Sequence, residues 1–159
     1  MEAIERLPST STRVELATDA KINEVIRQWT DARVTQLEGA PRDAFERRLR
    51  ALEAEWDIER VLQLNASVLA LAGLVLGRTV DRRFLAIPAV VFSFFAQHAL
   101  QGWCPPVPIF RKLGVRTARE IERERFAVKA LRKDFDDVPS RGGGAPEERA
   151  RAALRAVDR

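Results

Sequence analysis

At 159 residues, with 46% hydrophobic and 31% charged side chains, the chain has room for one domain with tails rather than two full domains. Its net charge of +4 comes from Arg far more than Lys, and the basic residues alternate with acidic ones in runs such as AFERRLRALEAEWDIER. Such runs read as solvated helix faces rather than as a nucleic-acid surface, and a single cysteine excludes an intrachain disulfide or a cysteine-cluster metal site.

Residues 1–18 contain Pro, Ser and Thr without apolar periodicity, and disorder is expected there. The start is polar and partly acidic, with no basic and apolar leader, so membrane insertion would have to use an internal segment. Residues 19–60 read as two amphipathic helices. In the first, Asp19 is the expected N-cap and Ile22, Val25, Ile26 and Trp29 supply the apolar spacing. After a break at Gly39 and Pro41, Phe45, Leu49, Leu52 and Trp56 form a narrow apolar stripe on a charged rod.

Residues 61–103 differ in kind, because their charged side chains are confined to Arg78, Asp81, Arg82 and Arg83. The segments on either side, 61–77 and 84–103, are free of charge if His98 is neutral, and they are apolar on all sides. As helices they reach about 25 and 30 Å, against a hydrocarbon core of about 30 Å. The short RTVDRR linker makes them an antiparallel hairpin. Lys and Arg number ten in the two flanks of twenty residues and three in the linker, which predicts cytoplasmic termini. Trp56 and Trp103 then fall at the cytoplasmic interface.

Ala66, Ala70, Gly73 and Gly77 form a small-residue stripe that predicts close helix packing, against the second span or another protomer. Asn65 comes level with Gln97, His98 and Gln101, and a bond from Asn65 to Gln97 or His98 is expected, since polar groups in lipid need partners. Cys104 lies six residues beyond His98, about 600° around a helix, so the local sequence predicts no Cys–His pair unless Pro105 and Pro106 redirect the chain. A helix C-terminus also disfavours a thiolate. Residues 104–135 read as an interfacial piece followed by an amphipathic helix with Ile121, Val128 and Leu131 inward, and Thr117 with Glu120 matches a capping box. Residues 136–159 read as a flexible tail with a frayed helical end.

One resemblance is specific. An E-R pair (Glu59, Arg60), two spans and a C-P…L-G-x-x-T ending (Cys104, Pro105, Leu113, Gly114, Thr117) resemble the YgaP-like inner-membrane domain family, a family of unknown function, over about residues 56–117. The resemblance implies a two-span hairpin in a bacterial inner membrane, with dimerisation through it. The sulfurtransferase domain of the name-giving member has no counterpart here, so that activity does not carry over.

The expected fold is therefore all-α, a two-span transmembrane hairpin flanked by cytoplasmic amphipathic helices. The leading functional expectation is a non-enzymatic inner-membrane anchor, interaction or scaffold module. Its partners would be the lipid bilayer and a second copy or another membrane protein, without nucleic acid, cofactor, metal or catalytic residue. The alternatives are a thiol-dependent sulfur-handling membrane protein using Cys104, and a soluble helical module with the hairpin as its core. Two spans enclose no pathway, so a channel would require an oligomer.

Overall fold

The computed structural model describes residues 7–140, 143 and 145–158. Among these residues all regular structure is helical. The helices are α1 (Arg13–Leu16), α2 (Ala20–Gln36), α3 (Arg42–Ala54), α4 (Ile58–Thr79), α5 (Ala86–Gln101), α6 (Val107–Lys112), α7 (Ala118–Leu131) and α8 (Pro146–Asp158), with a 3-10 turn at Arg82–Leu85. They form two compact units. One takes the described residues up to Gln28 together with Trp56–Ile121, and the other takes Trp29–Glu55 with the described residues from Glu122 onward. Two of the three divisions thus fall inside α2 and α7, and the third, at Glu55/Trp56, falls between α3 and α4.

The first unit is built on α4 and α5. Two helical stretches, within Arg42–Thr79 and over Arg82–Gln101, are long and apolar enough to cross a membrane. Only 22% and 11% of their apolar windows are buried, whereas the core helix of a soluble protein would be mostly covered. The small-residue stripe meets the second helix of the hairpin itself. Ala70, Gly73 and Gly77 are buried, with Pro88 over Gly73 and Leu85 over Gly77. A Cβ on Gly73 would come 2.6 Å from Pro88 Cδ, and one on Gly77 2.7 Å from Leu85 Cγ. Ala66 is the exception on this stripe, since it lines a groove further along α4. Asp81 tightens the connection by accepting the Arg83 N–H at 2.8 Å.

Around the other end of the hairpin lies a core of Val14, Ile58, Leu62, Cys104 and Val107, with Phe95, Phe110 and Val115 against it. Residues 7–18, expected to be disordered, are part of this packing, because α1 buries Val14 there. The reason is long-range: nothing in a local window marks one valine as a core residue. Residues 1–6 lie outside the described residues. Asp19 caps α2 as expected, accepting the Lys21 N–H at 2.8 Å.

After α5 the chain reverses and runs through α6 to Gly114, whose φ of +87° suits a helix stop. The Arg116 carbonyl then accepts the Ile58 N–H at 2.8 Å, satisfying one orphan donor of α4. Arg111 sits fully buried in this arrangement. Its guanidinium makes a two-pronged contact with Glu120 at 2.6 and 2.7 Å, and also donates to Asn23 Oδ1 (2.9 Å) and the Val115 carbonyl (3.0 Å). The capping box is present, with Thr117 N–H donating to Glu120 and Glu120 N–H to Thr117 Oγ1.

In the second unit, Phe45, Leu49 and Leu52 of α3 are buried as the stripe requires, with Val128 of α7 and Ala156 of α8. Trp56, the stripe's expected last member, stays largely exposed in the first unit beneath the Arg60 guanidinium, 4.2 Å from its ring centre. Glu124 is fully buried and accepts from Arg48 Nε at 2.6 Å. Residues 146–158 of the expected tail form α8, tied down where Lys129 Nζ donates to the Val157 carbonyl.

Candidate functional site

The polar residues of the hairpin gather at the end remote from its linker. Glu59 stands in the first turn of α4, which Asp57 caps by accepting the Arg60 N–H at 2.8 Å. His98 stands in the last turn of α5, and the antiparallel hairpin sets the two side by side. Glu59 Oε2 lies 3.0 Å from His98 Nε2, while Glu59 Oε1 accepts from the Arg13 guanidinium at 2.7 Å. Arg13 is itself held by its bond to the Thr10 carbonyl, 2.8 Å away. An ionised carboxylate can only accept, so this pairing puts an imidazole proton on Nε2. Phe95 stacks on the ring, 15° from parallel. His98 is 1% exposed, and its Nδ1 is buried without a hydrogen bond of regular geometry.

The polar group that adjoins the ring is the Cys104 thiol. The expectation that the two stay apart held unless Pro105 and Pro106 redirect the chain, and the chain is redirected already before them, at Gly102. That expectation extended the helix through Cys104, but α5 ends at Gln101. Gly102 adopts φ +76°, donates its N–H to the His98 carbonyl at 2.7 Å, and turns the chain back. The turn at Pro105–Pro106 and the bond from Val107 N–H to the Cys104 carbonyl then hold the cysteine, 4% exposed, in the core beside His98. The sequence signal for this was the pairing of a left-handed-tolerant glycine with the two prolines.

The predicted Asn65 bond to Gln97 or His98 is absent. Glu59, six residues nearer the helix start, takes the histidine instead, since an ionised carboxylate makes a stronger acceptor than an amide. Asn65 lines an apolar groove of about 240 Å³ bounded by Leu62, Leu69, Val90, Phe94 and Phe95, with Cys104, Pro105 and Pro106 at one end. Gln97 is half-buried and Gln101 exposed. Each residue of the quoted sequence pattern has a structural task. Glu59 and Cys104 flank His98, Arg60 covers Trp56, Pro105 shapes the turn, Gly114 and Thr117 end α6 and begin α7, and only Leu113 projects outward.

Sequence reasoning missed Arg13 and Asn23, because each works through partners distant in the chain. Among the described residues no group of three or more His, Cys, Asp or Glu is arranged to hold a metal ion. Comparison with protein-family models, with curated proteins and with solved structures finds no match to the chain.

Proposed function

We propose that the chain is a two-span inner-membrane protein whose hairpin anchors charged helices at the cytoplasmic face, where they serve as an interaction or scaffold module. The observation that carries this reading is the outward face of the hairpin. Leu64, Val68, Leu71, Val75, Val90 and Phe92 are 51–62% exposed, a contiguous apolar surface that water would leave unsatisfied and lipid would cover. Arg78, Arg82 and Arg83 mark one end of that surface, and exposed Trp56 and Trp103 mark the other, as interfacial anchors do. α3 and α7 carry the charge, ion-paired through Arg48 and Glu124 rather than free for nucleic acid.

Extraction of membranes with alkaline carbonate tests the reading. The chain is expected to stay in the pellet, and a cysteine placed at Val80 in a Cys104→Ser background is expected to react with an impermeant maleimide from the periplasmic side. Release by carbonate would overturn the anchor, and labelling only after lysis would reverse the orientation.

A further inference from the structure

We propose that the linker end of the hairpin is a binding site for anionic phospholipid: Arg78, Arg82 and Arg83 hold the headgroup phosphate, and the apolar rim beside them takes the acyl chains. The inference rests on the hairpin lying in a bilayer, and it names the lipid class that this end recruits. Three of the linker's six residues are arginine, a density that opposes the orientation set by the flanks, so insertion alone does not account for them. Their surroundings also differ from those of arginines elsewhere in the chain. Arg13, Arg48, Arg111 and Arg132 are each ion-paired to a carboxylate. Arg78, Arg82 and Arg83 are exposed, and their guanidinium groups have no hydrogen-bond or ion-pair partner among the described residues. The linker's single acid, Asp81, gives Oδ1 to the Arg83 backbone N–H at 2.8 Å rather than to a guanidinium. Three arginines and one aspartate leave the linker a formal charge of +2.

The backbone beneath these arginines is fixed. The Val80 and Asp81 N–H groups both donate to the Leu76 carbonyl, at 2.8 and 3.1 Å, and Phe84 N–H donates to the Asp81 carbonyl at 3.0 Å. Gly77 admits the turn so closely that a Cβ there would stand 3.2 Å from the Leu85 backbone nitrogen. Arg78, next to Gly77, and Arg82 and Arg83, just before Leu85, therefore sit on one packed platform. Beside them Val75, Val80 and Leu85 are 59%, 69% and 44% exposed. A ligand that covers both features is anionic at one end and hydrocarbon at the other. Nucleic acid or free phosphate would leave the rim bare, and a zwitterionic lipid carries a cation that offsets its phosphate. Guanidinium forks match phosphate oxygens in pairs, and the charge of the linker suits one headgroup with two phosphates or two headgroups with one each.

The test uses the full chain, purified in an uncharged detergent and followed by thermal unfolding. Dioleoyl-phosphatidylglycerol should raise the Tm, while dioleoyl-phosphatidylcholine and inorganic phosphate at the same concentration should leave it unchanged. Combining Arg78→Gln, Arg82→Gln and Arg83→Gln should remove most of the rise, and each single replacement should weaken lipid affinity by about fivefold. Because these side chains are exposed and unpaired among the described residues, the Tm in detergent alone should stay as it is. A control chain with Lys21→Gln, Arg50→Gln and Arg155→Gln loses the same charge from exposed positions elsewhere, and it should respond to the lipid as the unaltered chain does. An equal rise with phosphatidylcholine or phosphate, a rise that survives the three linker replacements, or a control chain that loses it equally would overturn the proposal. Carbonate washing of membranes reads the anchor separately. A retained chain whose Tm ignores phosphatidylglycerol sinks only this inference, and a released chain that still responds through the three arginines sinks only the anchor.

Discussion

The two ends of the hairpin are held by opposite means. Near the linker, α4 and α5 touch through missing side chains: Gly73 and Gly77 let Pro88 and Leu85 reach the backbone of α4. At the far end no small residue draws the helices together. There a chain of polar groups, Arg13 to Glu59 to His98, joins α1, α4 and α5, with the Cys104 thiol against it. In the proposed bilayer setting, apolar contact carries no hydrophobic driving force, so the linker end would depend on shape. The far end depends on satisfying buried donors and acceptors, which costs more when one partner is lost. It is also the end where buried polar side chains from three helices converge.

Breaking the polar end at its turn should have the largest effect. A Cβ at Gly102 would collide with the Arg13 carbonyl and would also have to occupy φ +76°. The strain of a left-handed residue and the displacement of α1 together place the cost of Gly102→Ala at about 3 kcal/mol or more. Thermal unfolding in detergent is expected to show a large drop in Tm, and the reactivity of Cys104 toward maleimide should rise as it leaves the core. An unchanged Tm would mean that the reversal tolerates a side chain and that α1 does not pack there.

Breaking the linker end should cost less. In Gly73→Val the added atoms meet Pro88 and Ile87 side chains at 2.6 to 2.8 Å, and the helices can part by a small movement into lipid. About 1–3 kcal/mol is expected, read as a lowered Tm with the Cys104 environment unchanged. If Gly73→Val and Gly102→Ala altered Cys104 reactivity alike, the two ends would be one cooperative unit and the contrast would fall.

The same contrast explains what was legible in the sequence. The hairpin, its small-residue face and the capping box at Thr117 depend on residues three, four or seven apart, so periodicity reveals them. Pro88 lies in the first turn of its helix, and its role as the surface that Gly73 receives is not visible in a local window. The far end depends on pairs separated by 39 and 46 residues, His98 with Glu59 and Arg13 with Glu59. The need for partners was legible from polar residues in an apolar span, but it pointed to Asn65 because depth alone cannot rank an amide against a carboxylate six residues away. Cys104 was read as a helix end, and the reversal at Gly102 made it a core residue.

The smallest effect concerns the support behind the far end and is set by pH. Burial alone would raise the Glu120 pKa, but the two Arg111 N–H groups and the Thr117 backbone N–H outweigh it and hold the carboxyl below the ordinary value of 4.5. The unfolded chain therefore binds a proton at Glu120 at a higher pH than the folded one does. Stability from this group is fully present above about pH 4.5 and is lost as pH falls through the lower folded value. Tm should thus decline on acidification below that pH, and Glu120→Gln should lower Tm at neutral pH while removing its share of the acid slope. Thr117→Ala, which removes one capping bond but leaves the Arg111 contact, should cost about 1 kcal/mol and leave most of that slope intact. If Thr117→Ala erased the acid dependence as fully as Glu120→Gln, the cap rather than the buried arginine would be what keeps Glu120 ionised.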